Sequence, residues 1–314
     1  MSKNRPALIL VRGGGDLATG VALRLHRTGM KVIITELAQP LAVRRAVSFA
    51  EAVYEGHRTV EGVTARLVER DQLWAALGVD EIPILIDPDA DILLSHQFFV
   101  VIDGRLTKQT PAPLPVKPAL HIGLGPGFHA GRDCHAVIET RRSHTLGRVY
   151  WSGATQPDSG VPEGDPRRVL RAPSDGVLIA RVNIGDHVEG GQVVAAILDH
   201  VTLSKAKGLQ QDIRDSSVAS LSQSDMKIIS PIAGVLRGII RDGVQVTKGL
   251  KIGDVDPRND SSASFLVSDK ALAIGGGVLE AILSKEEIRK QLWAPPHPAS
   301  DQPPQIQQTK SDGE

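Results

Sequence analysis

The feature that most constrains this fold is a strand, a glycine cluster, a helix and a second strand within residues 7–36. Residues 7–11 (ALILV) form a short apolar run, which is typical of a strand buried on both faces. Residues 16–28 then repeat apolar side chains at helical spacing and end before Gly29. Lys31–Glu36 (KVIITE) is a second apolar run. The pattern predicts a right-handed βαβ unit with parallel strands.

The glycines stand at the junction of the first strand and the helix. Dinucleotide-binding turns have the pattern G-x-G-x-x-G or G-x-G-x-x-A, with an acid about 20 residues further on. Glycines let the backbone approach a phosphate, and the helix N-terminus offers unpaired N–H groups. The sequence therefore predicts an N-terminal Rossmann-like parallel sheet domain. Its predicted cofactor-binding residues are Gly13, Gly14, Gly15, Asp16, Ala18 and Glu36.

Asp16 leaves a second interpretation of this turn open. It falls where the helix starts, so its side chain could cap the first helical turn. A carboxylate at that position would also repel a phosphate. The glycines would then form only a tight strand-to-helix corner, without a bound nucleotide or other anion.

A cluster of reactive residue types follows in the middle of the chain. Cys134 is the only cysteine, and His135, Glu139 and His144 follow it closely. Sulfur, imidazole and carboxylate groups together suggest a metal site or a reactive thiol. The spacing matches no standard zinc pattern, so we assign no metal ligands. We predict Cys134 and His135 as catalytic residues, and a buried inert cysteine remains the alternative.

An internal repeat constrains the second half of the chain. Residues 172–191 and 230–249 align without a gap. The shared pattern is P-x-x-G-V-L, a strand, G-x-x-V and a glycine turn, which resembles the two halves of biotinyl and lipoyl domains. We therefore predict an α/β fold whose Rossmann-like domain is followed by an all-β barrel-sandwich hybrid (biotinyl/lipoyl-like) domain. Matched pairs include Pro173 with Pro231, Gly176 with Gly234, and Gly185 with Gly243.

The repeat raises the question of a swinging prosthetic group. Biotinyl domains carry a modified lysine on a hairpin between the halves, in a Met-Lys-Met context. Here Lys227 follows Met226 but stands only four residues before Pro231, where the second half has already begun. We therefore expect no biotin or lipoyl group on Lys227.

These patterns divide the chain into five parts. They are a Rossmann-like nucleotide- or cofactor-binding domain (1–109), a Gly/Pro-rich connecting region with the Cys134 motif (110–168), the duplicated-half domain (169–258, with an insert at 198–225), a C-terminal helix region (259–293) and a disordered tail (294–314).

Composition excludes several classes of partner. Lys and Arg together number 36, as do Asp and Glu. A balanced charge argues against a protein built to bind nucleic acid. No run approaches the roughly 18 apolar residues of a membrane span, and the N-terminal apolar run is too short for a signal peptide. A single cysteine suits a reducing compartment. We expect a cytoplasmic protein without nucleic-acid or membrane partners.

Several longer motifs, taken in order, resemble the YqeB family of selenium-dependent molybdenum hydroxylase system proteins. They include RGGGDLATGVALRLHRTG, GLGPGFHAGRDCHAVIET, KIGDVDPR and SDKALAIGGGVLEAIL. The resemblance covers nearly the whole chain up to about Ser284. It implies an accessory role in maturing a molybdenum hydroxylase, which would be the client partner. A nucleotide or the molybdenum cofactor is then the expected ligand of the glycine turn.

Two other functions remain open at this stage. The glycine turn also suits an NAD(P)-dependent oxidoreductase with a cleft between domains. The repeat also suits a noncatalytic module that docks on a client enzyme. The sequence leaves open whether the protein is an enzyme, and it leaves the oligomeric state open.

Overall fold

The computed structural model describes residues 7–161, 164–198 and 225–293. Most of the predicted insert and all of the predicted disordered tail lie outside those ranges. Among the described residues, no helix is long and apolar enough to cross a membrane.

A nine-stranded sheet dominates the first half of the chain. Its strand order is β10-β9-β7-β6-β1-β2-β5-β4-β3. The inner pairs are parallel, whereas β3–β4 and β9–β10 are antiparallel. The strands are β1 (Leu8–Arg12), β2 (Lys31–Glu36), β3 (His57–Val60), β4 (Val63–Leu67), β5 (Ile82–Ile86), β6 (Phe98–Asp103), β7 (Leu120–Leu124), β9 (Ala136–Ile138) and β10 (Val149–Tyr150). A separate two-stranded sheet joins β8 (His129–Ala130) to β11 (Gly153–Ala154).

The βαβ unit forms because its two strands are apolar on both faces. β1 and β2 pair in parallel, with Leu8 opposite Lys31, and their central residues are fully buried. Helix α1 (Asp16–Arg27) connects them and buries Leu17, Val21 and Leu25 against the sheet. Two short helices, α2 (Ala52–Glu55) and α3 (Leu73–Gly78), flank later strands.

The two C-terminal helices pack against the structure formed by the first half of the chain. Helix α4 (Asp269–Leu283) packs against α1 and is followed by α5 (Glu286–Trp293). The close approach of α1 and α4 depends on glycine, because a Cβ atom at Gly20 would lie 2.7 Å from the Cβ of Ala271. The second glycine triplet (residues 275–277) lies in the middle of α4, several residues after the helix begins.

Residues 169–198 and 225–256 form two four-stranded antiparallel sheets. One has the order β12-β19-β17-β14 and the other β16-β15-β13-β18. The two repeat copies exchange strands, since β13 pairs with β18 and β14 with β17. Their shared core is aliphatic. The strands are β12 (Val169–Arg171), β13 (Gly176–Ala180), β14 (His187–Val188), β15 (Val193–Leu198), β16 (Met226–Ile229), β17 (Gly234–Ile239), β18 (Gln245–Val246) and β19 (Lys251–Asp256).

The all-β part is packed tightly on the first half. A Cβ atom at Gly238 would lie 2.6 Å from the carbonyl oxygen of Val43, so β17 approaches residues 40–51 at backbone distance. The Nε of Arg45 donates to the carbonyl of Ile239 at 3.1 Å. An ion pair between Arg241 and the buried Glu51 adds a charged contact.

The predicted fold class, a Rossmann-like parallel sheet domain followed by a barrel-sandwich hybrid (biotinyl/lipoyl-like) domain, was wrong. The sheet is large and mixed because two hairpin-like connections reverse the chain at its edges. One is the turn at Glu61 and Gly62, whose φ angles of 44° and 83° return β4 against β3. The other returns β10 against β9. The sheet also draws on strands well beyond residue 109.

A candidate ligand cleft at the carboxyl ends of β1, β2 and β6

The strand order reverses at β1, because β2 lies on one side of it and β6 on the other. Helix α1 carries the chain from β1 to β2 on one side, and β6 lies on the other side. In open α/β sheets, ligands bind in the crevice that such a reversal leaves at the carboxyl ends of the strands. A cleft of about 260 Å³ lies there; its lining includes Arg12, Gly13, Gly15, Glu36, Leu41 and Arg105.

The three glycines of the predicted turn have different structural roles. Gly13 has a φ of +93°, which favours glycine. A Cβ atom at Gly14 would lie 2.8 Å from the backbone nitrogen of Ala50, so this position admits no side chain. A Cβ atom at Gly15 would meet nothing within 4 Å. The first two glycines therefore shape the turn, and the third leaves the cleft open.

The predicted acid, Glu36, lies against the predicted glycine turn. Its carboxylate accepts the Gly14 N–H at 2.6 Å and the Leu37 N–H at 2.7 Å. Gly14 and Glu36, which the sequence pattern paired, are therefore in contact although they are 22 positions apart in the chain. Glu36 already satisfies the Gly14 amide, so an anion in the cleft would use the first-turn amides of α1, which have no intrahelical acceptor.

Asp16 does not cap its own helix. The N-cap residue of α1 is Gly15, and it makes no side-chain cap hydrogen bond. The Asp16 carboxylate instead faces Arg44, with 3.8 Å between Oδ2 and Nη1. Arg44 also donates to the carbonyl of Leu266 at 3.0 Å, and burial lowers its pKa. The Arg44 cation offsets the repulsion that Asp16 alone would exert on an anion.

Ala18 acts through packing. A Cβ atom at Gly104 would lie 2.9 Å from the Ala18 Cβ, so α1 lies directly against the end of β6. The small side chain at this position in the fingerprint allows that approach.

An arginine–aspartate–arginine cluster, in which Arg12 and Asp103 are buried and Arg105 is exposed, forms the opposite wall, and sequence reasoning missed its arginines. Arg12 is 4% exposed and donates from Nη2 to the Pro88 carbonyl at 3.0 Å. Asp103, 1% exposed, accepts from Arg12 at 3.4 Å and from Arg105 through two bonds of 2.9 and 2.7 Å. Burial lowers the pKa of Arg12, whereas the hydrogen bonds to Asp103 raise that of Arg105. Two cations share one carboxylate here.

One N–H group of this cluster makes no hydrogen bond to a described residue. Within the described ranges, the buried Nε of Arg12 has no hydrogen-bond acceptor. A buried donor without an acceptor carries a free-energy cost of about 1–3 kcal/mol. Because the same atom is shielded from solvent, this cost belongs to the packing of the arginine and not to the surface of the cleft.

Cys134 lies in a small apolar cluster with Phe128, Ala130 and Val137. Its thiol donates to the carbonyl of Ala136 at 3.2 Å. Burial raises the pKa of this thiol to about 11. The thiolate is the nucleophile in cysteine chemistry, so this setting disfavours reaction at neutral pH.

The structure does not bring His135 to Cys134 as a base. His135 is exposed, and its Nδ1 accepts the N–H of His121 at 2.8 Å. Glu139 is a turn carboxylate, which accepts the N–H groups of Arg141 at 2.8 Å and Gln156 at 2.9 Å. In the described part of the chain, no group of three His, Cys, Asp or Glu residues is placed to hold a metal ion.

His121 is a buried residue that sequence reasoning missed. It is 8% exposed, and its ring packs edge-on against Phe128 with 6.1 Å between centroids. Its Nε2 has no partner among the residues that the structure describes. Burial is the main cause that lowers the pKa of His121 to about 4. The only sequence signal was a histidine inside an otherwise apolar strand, LHIGL.

Comparison with solved structures gives only weak likenesses. An aspartoacylase family protein from Mesorhizobium loti is 13% identical, with coverage of 80% of this chain and 84% of that one and a TM-score of 0.26. A succinylglutamatedesuccinylase/aspartoacylase from Rhodobacter sphaeroides is 14% identical, with coverage of 82% and 87% and a TM-score of 0.24. At these TM-scores neither likeness carries an argument about the fold or function of this chain.

The sequence comparison identifies a relative. The chain is 42% identical to the uncharacterized protein YqeB of Escherichia coli (strain K12) over 283 residues. The match covers 88% of this chain and 47% of YqeB, so the chain spans about half the length of that relative. No protein-family model matches. The identity supports the YqeB resemblance, whereas the link to selenium and molybdenum hydroxylases stays a prediction.

Proposed function

We propose that this protein binds a phosphate-bearing ligand, a nucleotide or the molybdenum cofactor, in the cleft between β1, β2 and β6. We further propose that it does so as an accessory protein in the maturation of a selenium-dependent molybdenum hydroxylase. The observation that supports binding is the uncapped start of α1, which opens at Gly15 into a cleft whose lining includes Arg12 and Arg105. The maturation role rests on the YqeB resemblance.

The two walls of the cleft suit the two parts of such a ligand. Arg12 and Arg105 both pair with the single carboxylate of Asp103 and place two guanidinium groups on one wall, opposite the Glu36 carboxylate. Phosphate groups bind well to arginine and to helix N-termini. Glu36, on the other wall, accepts hydrogen bonds and suits a hydroxyl or an amino group of the ligand.

The size of the cleft favours a compact ligand. Its volume of about 260 Å³ lies just below the roughly 300–1,000 Å³ of usual small-molecule sites. The exposed side chains of Leu37 and Leu41 extend the lining as an apolar shelf. A ring system of the ligand would lie on that shelf, with its phosphate toward α1.

Calorimetric titration of the full chain with AMP, GTP, NAD and molybdenum cofactor tests the binding proposal. We expect at least one of these to bind, and Gly15→Leu to abolish that binding because its side chain enters open cleft space. The matched control is Gly276→Leu, at a second glycine whose Cβ would meet nothing within 4 Å. Binding that survives Gly15→Leu would show that the cleft is not the site.

Supplying the chain to a host that lacks its YqeB protein tests the maturation role. We expect wild-type and Gly276→Leu proteins to restore molybdenum hydroxylase activity and Gly15→Leu to fail. Hydroxylase activity that never depends on the chain would refute the maturation role and leave ligand binding standing. Turnover of bound NAD with a reductant would instead favour an oxidoreductase.

A further inference from the structure

A second cavity, of about 280 Å³, lies at the amino ends of β7 and β9. It forms where the start of β7, the turn after β10 and the junction of α4 and α5 meet. Its lining includes Leu120, His135, Trp151, Lys285, Glu287 and Ile288. Leu120 is the first residue of β7, whose neighbour β6 runs parallel to it and ends at the cleft. The two cavities therefore share no residues and open at different ends of the strands.

Two hydrogen-bond donors line this cavity. The Lys285 ammonium lies 4.1 Å from the centroid of the Trp151 ring, and it forms no ion pair with any described residue. The Nδ1 of His135 accepts the His121 amide hydrogen, which leaves the proton of the neutral ring on Nε2. His135 thus offers a ring N–H donor. An ammonium and an N–H donor together suit a carboxylate.

The cavity also presents a carboxylate that is not neutralised by this lysine. Lys285 is the residue before α5 and Glu287 is the second residue of that helix, and no ion pair joins these two described residues. The neighbouring acid, Glu286, forms an ion pair with Lys290 at 2.6 Å. The lining therefore holds one cation and one anion, separated from each other.

We propose that this cavity binds a small zwitterion of the amino-acid type with an apolar side chain. Its carboxylate would lie against Lys285 and His135, and its ammonium against Glu287. Its side chain would pack on Trp151, Leu120 and Ile288, which supply the apolar surface. This ligand site is independent of the phosphate cleft.

Three probes with one ring and different charges test the assignment. L-phenylalanine carries both charges, 3-phenylpropionate only the carboxylate and 2-phenylethylamine only the ammonium. Trp151 lies in the lining, so its fluorescence in the full chain reports binding. We expect saturable binding of L-phenylalanine below about 10 mM, and binding of each other probe weaker by about fivefold. Equal or tighter binding of either singly charged probe, or no saturable response to L-phenylalanine, overturns the proposal.

Charge variants locate the site. Lys285→Met keeps the aliphatic stem over Trp151, and we expect it to weaken L-phenylalanine binding about fivefold. Glu287→Gln should weaken it similarly while leaving 3-phenylpropionate binding unchanged. Lys290→Met is the matched control, since Lys290 lies on the same helix outside the lining. Thermal melting confirms that each variant is folded, and calorimetry gives a second readout. Unchanged affinity in folded Lys285→Met protein refutes the assignment.

Discussion

The chain contains the triplet Gly-Gly-Gly twice, and the two copies do different work. Residues 13–15 join a strand to a helix at the cleft, whereas residues 275–277 lie within α4. In the first triplet, Gly13 needs a left-handed backbone and Gly15 faces open space. In the second, a Cβ atom at Gly275 would lie 2.9 Å from the carbonyl oxygen of Gly20. The first triplet shapes the cleft that we propose as a ligand site, and the second lets α1 and α4 pack closely.

The surroundings of the two triplets differ in the same way. The first borders charged groups, namely Arg12, Glu36 and the buried Asp103. The second lies in an aliphatic helix layer around Ile274 and Val278. The role of a glycine triplet therefore depends on its neighbours. Charged neighbours are consistent with the binding role that we propose for the first triplet, and aliphatic neighbours with a packing role for the second.

The largest effect is expected at the second triplet, from Gly277→Ala. The new Cβ would lie 2.0 Å from the carbonyl oxygen of Gly147, a backbone atom that cannot move aside. We expect a loss of more than about 3 kcal/mol in the free energy of unfolding, measured by urea denaturation. A loss below about 1 kcal/mol would show that α4 does not pack as described.

Near the first triplet, the next effect is a pH dependence from His121. Its pKa of about 4 lies below the ordinary value of 6.5, so the unfolded chain binds the proton more readily. Stability should fall as the pH drops from about 6.5 to 4, by up to roughly 3 kcal/mol, and not change further below that for this residue. His121→Leu should flatten this slope in urea titrations at several pH values, whereas the exposed control His144→Gln should keep it. An unchanged slope in His121→Leu would contradict the burial of a neutral imidazole.

A smaller effect is expected from the ion pair behind the first triplet. Glu51 is 2% exposed and pairs with Arg241, whose guanidinium also lies 4.9 Å from the centroid of the Tyr54 ring. Glu51→Gln should cost about 2 kcal/mol, because it removes the buried carboxylate that Arg241 and Arg45 both face and leaves Arg241 only the more exposed Glu55. A double-mutant cycle with Arg241→Met measures the coupling of the pair. Strict additivity of the two single changes would show that the all-β part does not dock through this contact.

The smallest effects compare two glycines that have free space. Gly276→Ala should stabilise the protein by about 1 kcal/mol, because alanine favours the helix interior and the added methyl group meets nothing. Gly15→Ala should change stability by less than about 0.5 kcal/mol, because its φ of −62° is ordinary for any residue. Thermal melting resolves both. A strong destabilisation by Gly15→Ala would contradict the open geometry of the cleft.

Local patterns predicted the parts of the structure that depend on local forces. Apolar strands around an amphipathic helix indicated the βαβ unit, and the position of Glu36 placed an acid beside the glycine turn. The mixed character of the sheet depends on edge turns such as the one at Gly62, whose direction the apolar pattern does not encode. The interpretation of Asp16 as a cap missed Arg44, which reaches it from a separate segment.

Pairing between distant strands explains why sequence reasoning missed Arg12 as the partner of Asp103. Arg12 and Asp103 meet because β1 and β6 pair in register, although the two residues are 91 positions apart. A charged residue at the end of an otherwise apolar strand was the one available signal. Cys134 and His135 are adjacent in sequence, but one is buried and the other is exposed. Adjacency in the chain therefore did not imply a shared site.

The central claim is that the first glycine triplet binds a phosphate-bearing ligand and the second does not contribute. The most direct measurement is calorimetric titration of wild-type, Gly15→Leu and Gly276→Leu proteins with AMP, GTP, NAD and molybdenum cofactor. The account predicts that at least one ligand binds wild-type and Gly276→Leu proteins alike and fails to bind folded Gly15→Leu protein. Binding of none of them, or equal binding to all three proteins, would contradict it.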